Sequence, residues 1–281
     1  MNGAQARLLP DGRLHLQHGP IDIIAKAFGA PEALTEAYER TARAFQPVLR
    51  TLADELEALR RPAPARPDLR GPVARRMAAA VAPHAGGFIT PMAAVAGAVA
   101  DHLLAALAGP GVNRAYLNNG GDIAFYLSPG SELTAAVVDD TERPHVDARV
   151  RLAHDQPARG LATSGWRGRS QSLGIADAVT VLAPSAAAAD AAATIIANAV
   201  DCDHAAIERR PARELQPDSD LGDRLVTVAV AELPGGAIDV ALGRGQARAE
   251  AMLRAGLIAA AYLGLKGRRL TVLPDALSQV A

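Results

Sequence analysis

The segment that most restricts the fold is residues 186–199, built almost wholly from alanine and isoleucine behind Ser185, a residue suited to capping a helix N-terminus. A helix of such small apolar side chains suits packing against a sheet, because backbones can then approach closely. Four polar residues mark the helix and its end: Asp190, Thr194 and Asn198 within the segment and Asp201 just beyond it. At about 100° per residue they project within an arc of about 80°. So narrow a stripe is directed at water, at polar protein groups or at a bound cation. Asp190 and Thr194, one turn apart, place a carboxylate beside a hydroxyl. Both are hard oxygen ligands of the kind Mg²⁺ takes. The solvated face of an amphipathic helix would account for the same stripe.

Around this helix the pattern alternates between strands and helices. Leu14–Ile24 reads as extended, with a turn at Gly19-Pro20. Pro31–Leu59 reads as one long amphipathic helix whose apolar residues recur at spacings of three and four. Proline punctuates residues 61–67 as a connector. Thr90-Pro91 predicts an N-cap followed by proline at the first helical position, with the helix running to about Ala108. Ala115–Leu117 and Ile123–Leu127 read as strands, as do Leu133–Val138, Leu152–Ala153 and Ile175–Ala183. Leu225–Glu232 and Ala237–Leu242 flank Pro234-Gly235-Gly236 like a hairpin, Gly245–Leu263 reads as helix, and Leu270–Leu273 as a last strand. The expected class is α/β or α+β, a mixed β-sheet with helical crossovers. One domain is expected over residues 1–281: an N-terminal strand and long helix at 10–60, the connector at 61–67 and a core at 70–275.

Charge and cysteine usage narrow the function classes. With 29 basic and 30 acidic residues the net charge is −1, so nothing favours nucleic acid or an anionic membrane. The single cysteine, Cys202, excludes an internal disulfide and a cysteine-rich zinc site, and fits a reducing compartment. Residues 1–13 lack the apolar core of a signal peptide, so the expectation is a cytoplasmic protein without a membrane span. Asp201, Asp203 and His204 lie close in sequence but lack metal-ligand spacing.

Three segments are candidates for gripping a ligand. Gly160–Gly165 reads as a strand ending in Thr163-Ser164-Gly165, and Trp166-Arg167-Gly168-Arg169 follows. The hydroxyls and guanidinium groups suit phosphate, and the only tryptophan suits stacking on a flat ring, though ordinary turn chemistry accounts for the same residues. Asn118-Asn119-Gly120-Gly121-Asp122 lies between two strands, and its glycines allow positive φ and close backbone approach. Gly86-Gly87 before the helix at 90–108 offers N–H groups to an anion, or marks close packing on the sheet.

The order and content of Gly97-Ala-Val-Ala-Asp101, Asn119-Gly-Gly-Asp-Ile123, Ala162-Thr-Ser-Gly165, Val179-Thr-Val181 and Asp190-Ala-Ala-Ala-Thr194 resemble the ApbE superfamily over roughly residues 10–275. The chain looks most like an uncharacterised, signal-less branch of it. The superfamily's flavin transferases use FAD and Mg²⁺ to attach FMN to a threonine of a target flavoprotein. The resemblance implies an ApbE-like, T-fold-related single domain. It also implies that Asp190 and Thr194 hold Mg²⁺ and serve the reaction, joined by a backbone carbonyl near Ala94. Asn119, Gly120, Gly121 and Asp122 would line the flavin-nucleotide pocket, with Thr163, Ser164 and Gly165 alongside and Trp166 and Arg167 next to them. The implied partners are a flavin nucleotide and an acceptor flavoprotein; the oligomeric state stays open, a homo-oligomer included. Asp101 occupies the place of a family aspartate. The sequence departs from the family pattern twice. Ala96 stands where the transferases carry lysine, and Gln171-Ser-Leu-Gly-Ile-Ala-Asp177 replaces a His-x-x-Asp-Pro motif. A flavin or nucleotide binder without turnover, or an enzyme for another phosphorylated metabolite, fits those losses.

Overall fold

The computed structural model describes residues 3–63, 68–137, 148–168 and 170–274. Strands β1 (Gln5–Leu8), β2 (Leu14–His18) and β3 (Ile21–Gly29) form an antiparallel meander. Helices α1 (Pro31–Phe45), α2 (Val48–Asp54), α3 (Leu56–Leu59) and α4 (Pro72–Val81) follow, and a 3-10 turn at Pro91–Ala94 leads into α5 (Val95–Leu107). Strands β4 (Val112–Asn119) and β5 (Asp122–Leu127) make a hairpin, and β6 (Glu132–Val137) pairs with β7 (Ala148–Ala153). Next come β8 (Gly160–Ser164), β9 (Ala178–Ala183) and α6 (Ala186–Ala199). An excursion of β10 (Ile207–Pro211), α7 (Ala212–Leu215) and β11 (Leu225–Val230) precedes α8 (Gly235–Arg254), and β12 (Ala260–Leu265) and β13 (Arg268–Val272) close the fold.

Nine strands form one sheet in the order β1-β2-β3-β4-β5-β8-β9-β12-β13. The architecture is mixed helix and sheet, as the sequence pattern predicts, but the paired strands run antiparallel rather than mixed. Two long helices lie between β3 and β4 (α1 and α5) and again between β9 and β12 (α6 and α8). A single helical crossover returns a strand parallel to its predecessor, whereas two passes return it antiparallel. Apolar periodicity reveals a helix between strands but not the number of passes.

Two other expectations change. The helix predicted over Pro31–Leu59 is three, broken first near Pro47, whose missing N–H and ring cannot sit inside a helix, and again at Glu55. Phe45, Val48, Leu52 and Leu59 are nevertheless all buried, so the apolar stripe still faces inward. The hairpin predicted at 225–242 does not form. Strand β11 pairs with β10, and Ala237–Leu242 belongs to α8, where Ile238, Ala241, Leu242, Gly245, Ala249 and Met252 supply a buried helical face. That helix ends at Arg254, and Ala260–Leu265 is a strand where helix was predicted.

Helices α5 and α6 lie side by side on one face of the sheet, α5 over β4 and β5, α6 over β8 and β9. Strand alternation decides what they meet. Ala115 and Leu117 of β4 and Ala124 of β5 pack with the helices, while Phe125 and Leu127 face the opposite way and form a separate cluster with Leu152 of β7. With a period of two, Asn119 and Asp122 therefore belong to the helix face. The close approach of α6 to the sheet requires glycine at residue 160, because a Cβ there would lie 2.0 Å from the Ala186 nitrogen. Gly160→Ala is expected to lower stability by about 1–3 kcal/mol through this overpacking, read as a lower urea midpoint at unchanged slope.

Candidate cation and nucleotide site

The polar stripe of α6 meets three different environments. Asn198 accepts the Leu173 N–H at 2.9 Å and the Ser172 hydroxyl at 3.3 Å, and Asp201 pairs with Arg209. Those two residues serve neighbouring protein groups. Asp190 instead meets the start of α5 and a second carboxylate. Its Oδ2 accepts the Gly97 N–H at 3.0 Å, and the Ala96 N–H also faces it. These belong to the first turn of α5, whose unsatisfied N–H groups and positive dipole end favour an anionic partner. The anion-binding end of this helix thus already holds a carboxylate from within the chain. Gly86 and Gly87 are exposed and stand before the 3-10 turn, away from the N-terminus of α5, and Thr90 donates its hydroxyl to Asp220 instead of capping.

The second carboxylate is Asp122, at the start of β5. The two-residue turn Gly120-Gly121, with φ of 66° and 112°, reverses the chain tightly enough to pair Asn119 with Asp122. Both side chains are buried. Asn119 donates from Nδ2 to the Ala96 carbonyl at 3.0 Å, tying β4 to α5. Asp122 accepts the Thr163 N–H at 3.3 Å and lies within hydrogen-bonding reach of Asp190. Burial pushes the Asp122 carboxyl up to about 7, against the lowering effects of the Thr163 N–H and of Asp190. Burial also holds Asp190 well above the usual carboxylate range; the negative charge of Asp122 adds to this, and the Gly97 and Ala96 N–H groups oppose it. Two carboxyls so placed share a proton near neutral pH, because both cannot ionise without a compensating charge.

A divalent cation would supply that charge. Asp190 keeps part of its surface accessible, as does Thr194 one turn along α6. Two carboxylates and a hydroxyl are the donor set Mg²⁺ accepts, with waters completing the shell, so the residues present fit the ion. Among the described residues no three His, Cys, Asp or Glu side chains gather as a metal site, so further ligands would come from hydroxyl, backbone or water. Ala94, the residue expected to lend a carbonyl, is buried at the N-cap of α5, beside the turn that holds Asp190.

The Thr163-Ser164-Gly165 segment divides across the sheet. Ser164 alternates with Ala162 and so shares the helix face with Asp190, whereas the Thr163 hydroxyl meets Thr180 Oγ1 at 2.8 Å on the other. Only the Thr163 backbone reaches the carboxylate pair. Gly165 is buried against the Asp177 carbonyl, 2.4 Å from where a Cβ would stand. Trp166 and Arg167, expected beside the nucleotide, converge on Asp177. The indole Nε1 donates to Asp177 Oδ1 at 3.1 Å, the Arg167 Nε donates to the same oxygen at 2.9 Å, and the Arg167 guanidinium lies 4.9 Å from the indole ring centre. Asp177 Oδ2 accepts the Lys266 N–H at 2.6 Å, so one carboxylate joins this loop to the β12–β13 turn. Arg169 lies outside the described residues.

Sequence reasoning missed the pairing of Asp122 with Asp190 and the convergence on Asp177. The available signal was isolation: Asp122 and Asp190 are each followed by an apolar stretch, and a charge in such a setting needs a partner.

An antiparallel sheet carrying helices on one face, with a buried carboxylate pair where two of those helices meet, defines an α+β protein with a candidate cation site. The chain belongs to the family described as AbpE bacteria, whose model matches residues 6–271. It is 37% identical over 138 residues to a UPF0280 protein of Methanosphaerula palustris, covering 49% of this chain and 56% of that one. A UPF0280 protein of Methanopyrus kandleri is 38% identical over 139 residues, covering 49% and 54%. The chain therefore spans about half the length of the curated relatives it matches. Among solved structures, the apo form of the flavinyl transferase ApbE of Pseudomonas stutzeri superposes with a TM-score of 0.50 at 15% identity, covering 100% of this chain and 98% of that one. That likeness is one of fold. No helix among the described residues is long and apolar enough to cross a membrane.

Proposed function

We propose that the protein is a Mg²⁺-dependent flavin-nucleotide enzyme that moves FMN from FAD to a hydroxyl of an acceptor flavoprotein, or cleaves the FAD diphosphate to FMN and AMP. The observation that supports this most directly is the carboxylate pair Asp122–Asp190 at the start of α5, with Thr194 one turn further on. In this reading Asp190 and Thr194 would hold the ion, with a carbonyl near Ala94, and Asp122 would give up the shared proton to make room for its charge. A bound Mg²⁺ would offset the diphosphate charge and stabilise the departing AMP. The chain's own part is placement. The Gly97 and Ala96 N–H groups fix the Asp190 carboxylate, the Asn119 amide holds β4 to that helix end, and the tight Gly120-Gly121 turn sets Asp122 opposite Asn119. Ser164, at the end of β8 on the same face, offers a hydroxyl to a phosphate.

Incubation with FAD and MgCl₂, with nucleotides separated chromatographically, is expected to release AMP, and EDTA is expected to stop it. No release at high enzyme concentration, with or without a candidate acceptor flavoprotein, would rule the reaction out. A second reading, nucleotide binding without turnover, draws on Ala96 in place of lysine and on an indole already bonded to Asp177. It predicts a higher melting temperature with FAD but no product.

A further inference from the structure

Helices α5 and α6 cap one another. Asp190 of α6 accepts the Gly97 N–H in the first turn of α5, and Asp101 of α5 accepts the Ala186 and Ala187 N–H groups in the first turn of α6 at 3.0 and 2.9 Å. Each helix thereby satisfies backbone donors of the other with a carboxylate at its positive end. The contact has little play. A Cβ on Gly97 would stand 2.3 Å from the Ala186 carbonyl oxygen, and Gly160 of β8 presses on Ala186 from the sheet. Asp190 lies one helical turn beyond Ala186, so a shift of that first turn carries the carboxylate with it. Asp122 would not move along, since β5 and the Thr163 N–H fix it separately.

We propose that Asp101 is a positioning residue for the carboxylate pair: it anchors the first turn of α6 and thereby sets Asp190 opposite Asp122 without touching a bound ion. This rests on the cation reading given above. Asp101 itself is faced by Ser185 and Arg76, and two of its bonds go to backbone N–H groups that need an acceptor. An asparagine offers one acceptor oxygen in place of two, and its amide N–H groups would oppose the second backbone donor.

The test uses the full chain and Mn²⁺ as the probe, with binding followed by electron paramagnetic resonance of the free ion. Asp101→Asn is expected to weaken Mn²⁺ binding at least tenfold. Leu16→Ala, which empties a fully buried position on β2, serves as a control with lowered stability and is expected to leave binding unchanged. A folded Asp101→Asn protein that binds Mn²⁺ like the parent overturns the inference. Should that variant not fold, Asp101→Ser keeps one acceptor and carries the same expectation. A readout independent of any ion is the double-mutant cycle of Asp101→Asn with Asp190→Asn, followed by urea unfolding in EDTA. Non-additive shifts of the midpoint support coupling through the helix pair, and additive shifts overturn it. A parent protein that binds no Mn²⁺ yet shows non-additivity upholds the positioning role while overturning the cation reading.

Discussion

Asp190→Asn is expected to cut Mg²⁺-dependent AMP release from FAD by a factor of about a hundred to a thousand, the usual scale for removing a principal electrostatic group from a reaction centre. The protein should stay folded. Asparagine has nearly the shape of aspartate, and its amide oxygen can still accept the Gly97 N–H that Oδ2 accepts now. What disappears is the negative charge and one of two oxygens. The new amide N–H donates to Asp122, so the buried pair is satisfied without proton or cation. The variant should therefore be at least as stable as the parent in EDTA, yet gain nothing from Mg²⁺. Asp190→Ala is the poorer test, since it strands the Gly97 N–H and lowers stability together with activity. AMP release, Mn²⁺ binding and urea unfolding, measured on one preparation, separate the two effects. Parent-like AMP release by a folded Asp190→Asn protein would remove this residue from the chemistry.

How much of this was legible beforehand depends on the range of each signal. Local signals held. Ser185 caps α6 as its position in the sequence indicates, accepting the Ala188 N–H at 3.2 Å, and Asn118 to Gly121 form the tight turn that their residue types favour. Signals that depend on packing partners did not. Ala237–Leu242 looks like a strand beside a Pro-Gly-Gly turn, but its continuation through Gly245, Ala249 and Met252 supplies a helical face that only tertiary contact rewards. The stripe on α6 showed that Asp190 needed a partner without showing which. Its counterparts arrive from β5 and from the first turn of α5, and their meeting depends on two excursions of the chain folding onto one face of the sheet. Trp166 and Arg167 illustrate the same limit. Their composition suits a phosphate or a ring, yet Asp177, from beyond the turn, accepts from both side chains.

Asp122→Asn is expected to remove most of the pH dependence contributed by the carboxylate pair. In the metal-free protein the folded-state pKa of Asp122, about 7, lies above the 3.8 of an unperturbed aspartate. The folded state thus binds more protons than the unfolded chain between those values, and stability falls as pH rises. The contribution is complete below pH 4 and is lost as pH passes through 7. At about 1.4 kcal/mol per unit, the loss is on the order of 4 kcal/mol by pH 8. Asparagine at this position carries an N–H permanently where the shared proton stood, and it removes the charge whose burial is unfavourable. Urea unfolding in EDTA at pH 5 and pH 8 should show a large loss for the parent and a much smaller one for the variant. Comparing the two proteins cancels contributions common to both, including the burial-raised carboxyls of Asp101 and Asp201. Mg²⁺ should restore the parent at pH 8, because a cation can take the place of the proton, and should stabilise the variant less. Equal pH slopes in the two proteins would mean that Asp122 and Asp190 do not share a proton in solution. Equal slopes together with parent-like Mn²⁺ binding by the variant would leave Asp190 to hold the ion without Asp122.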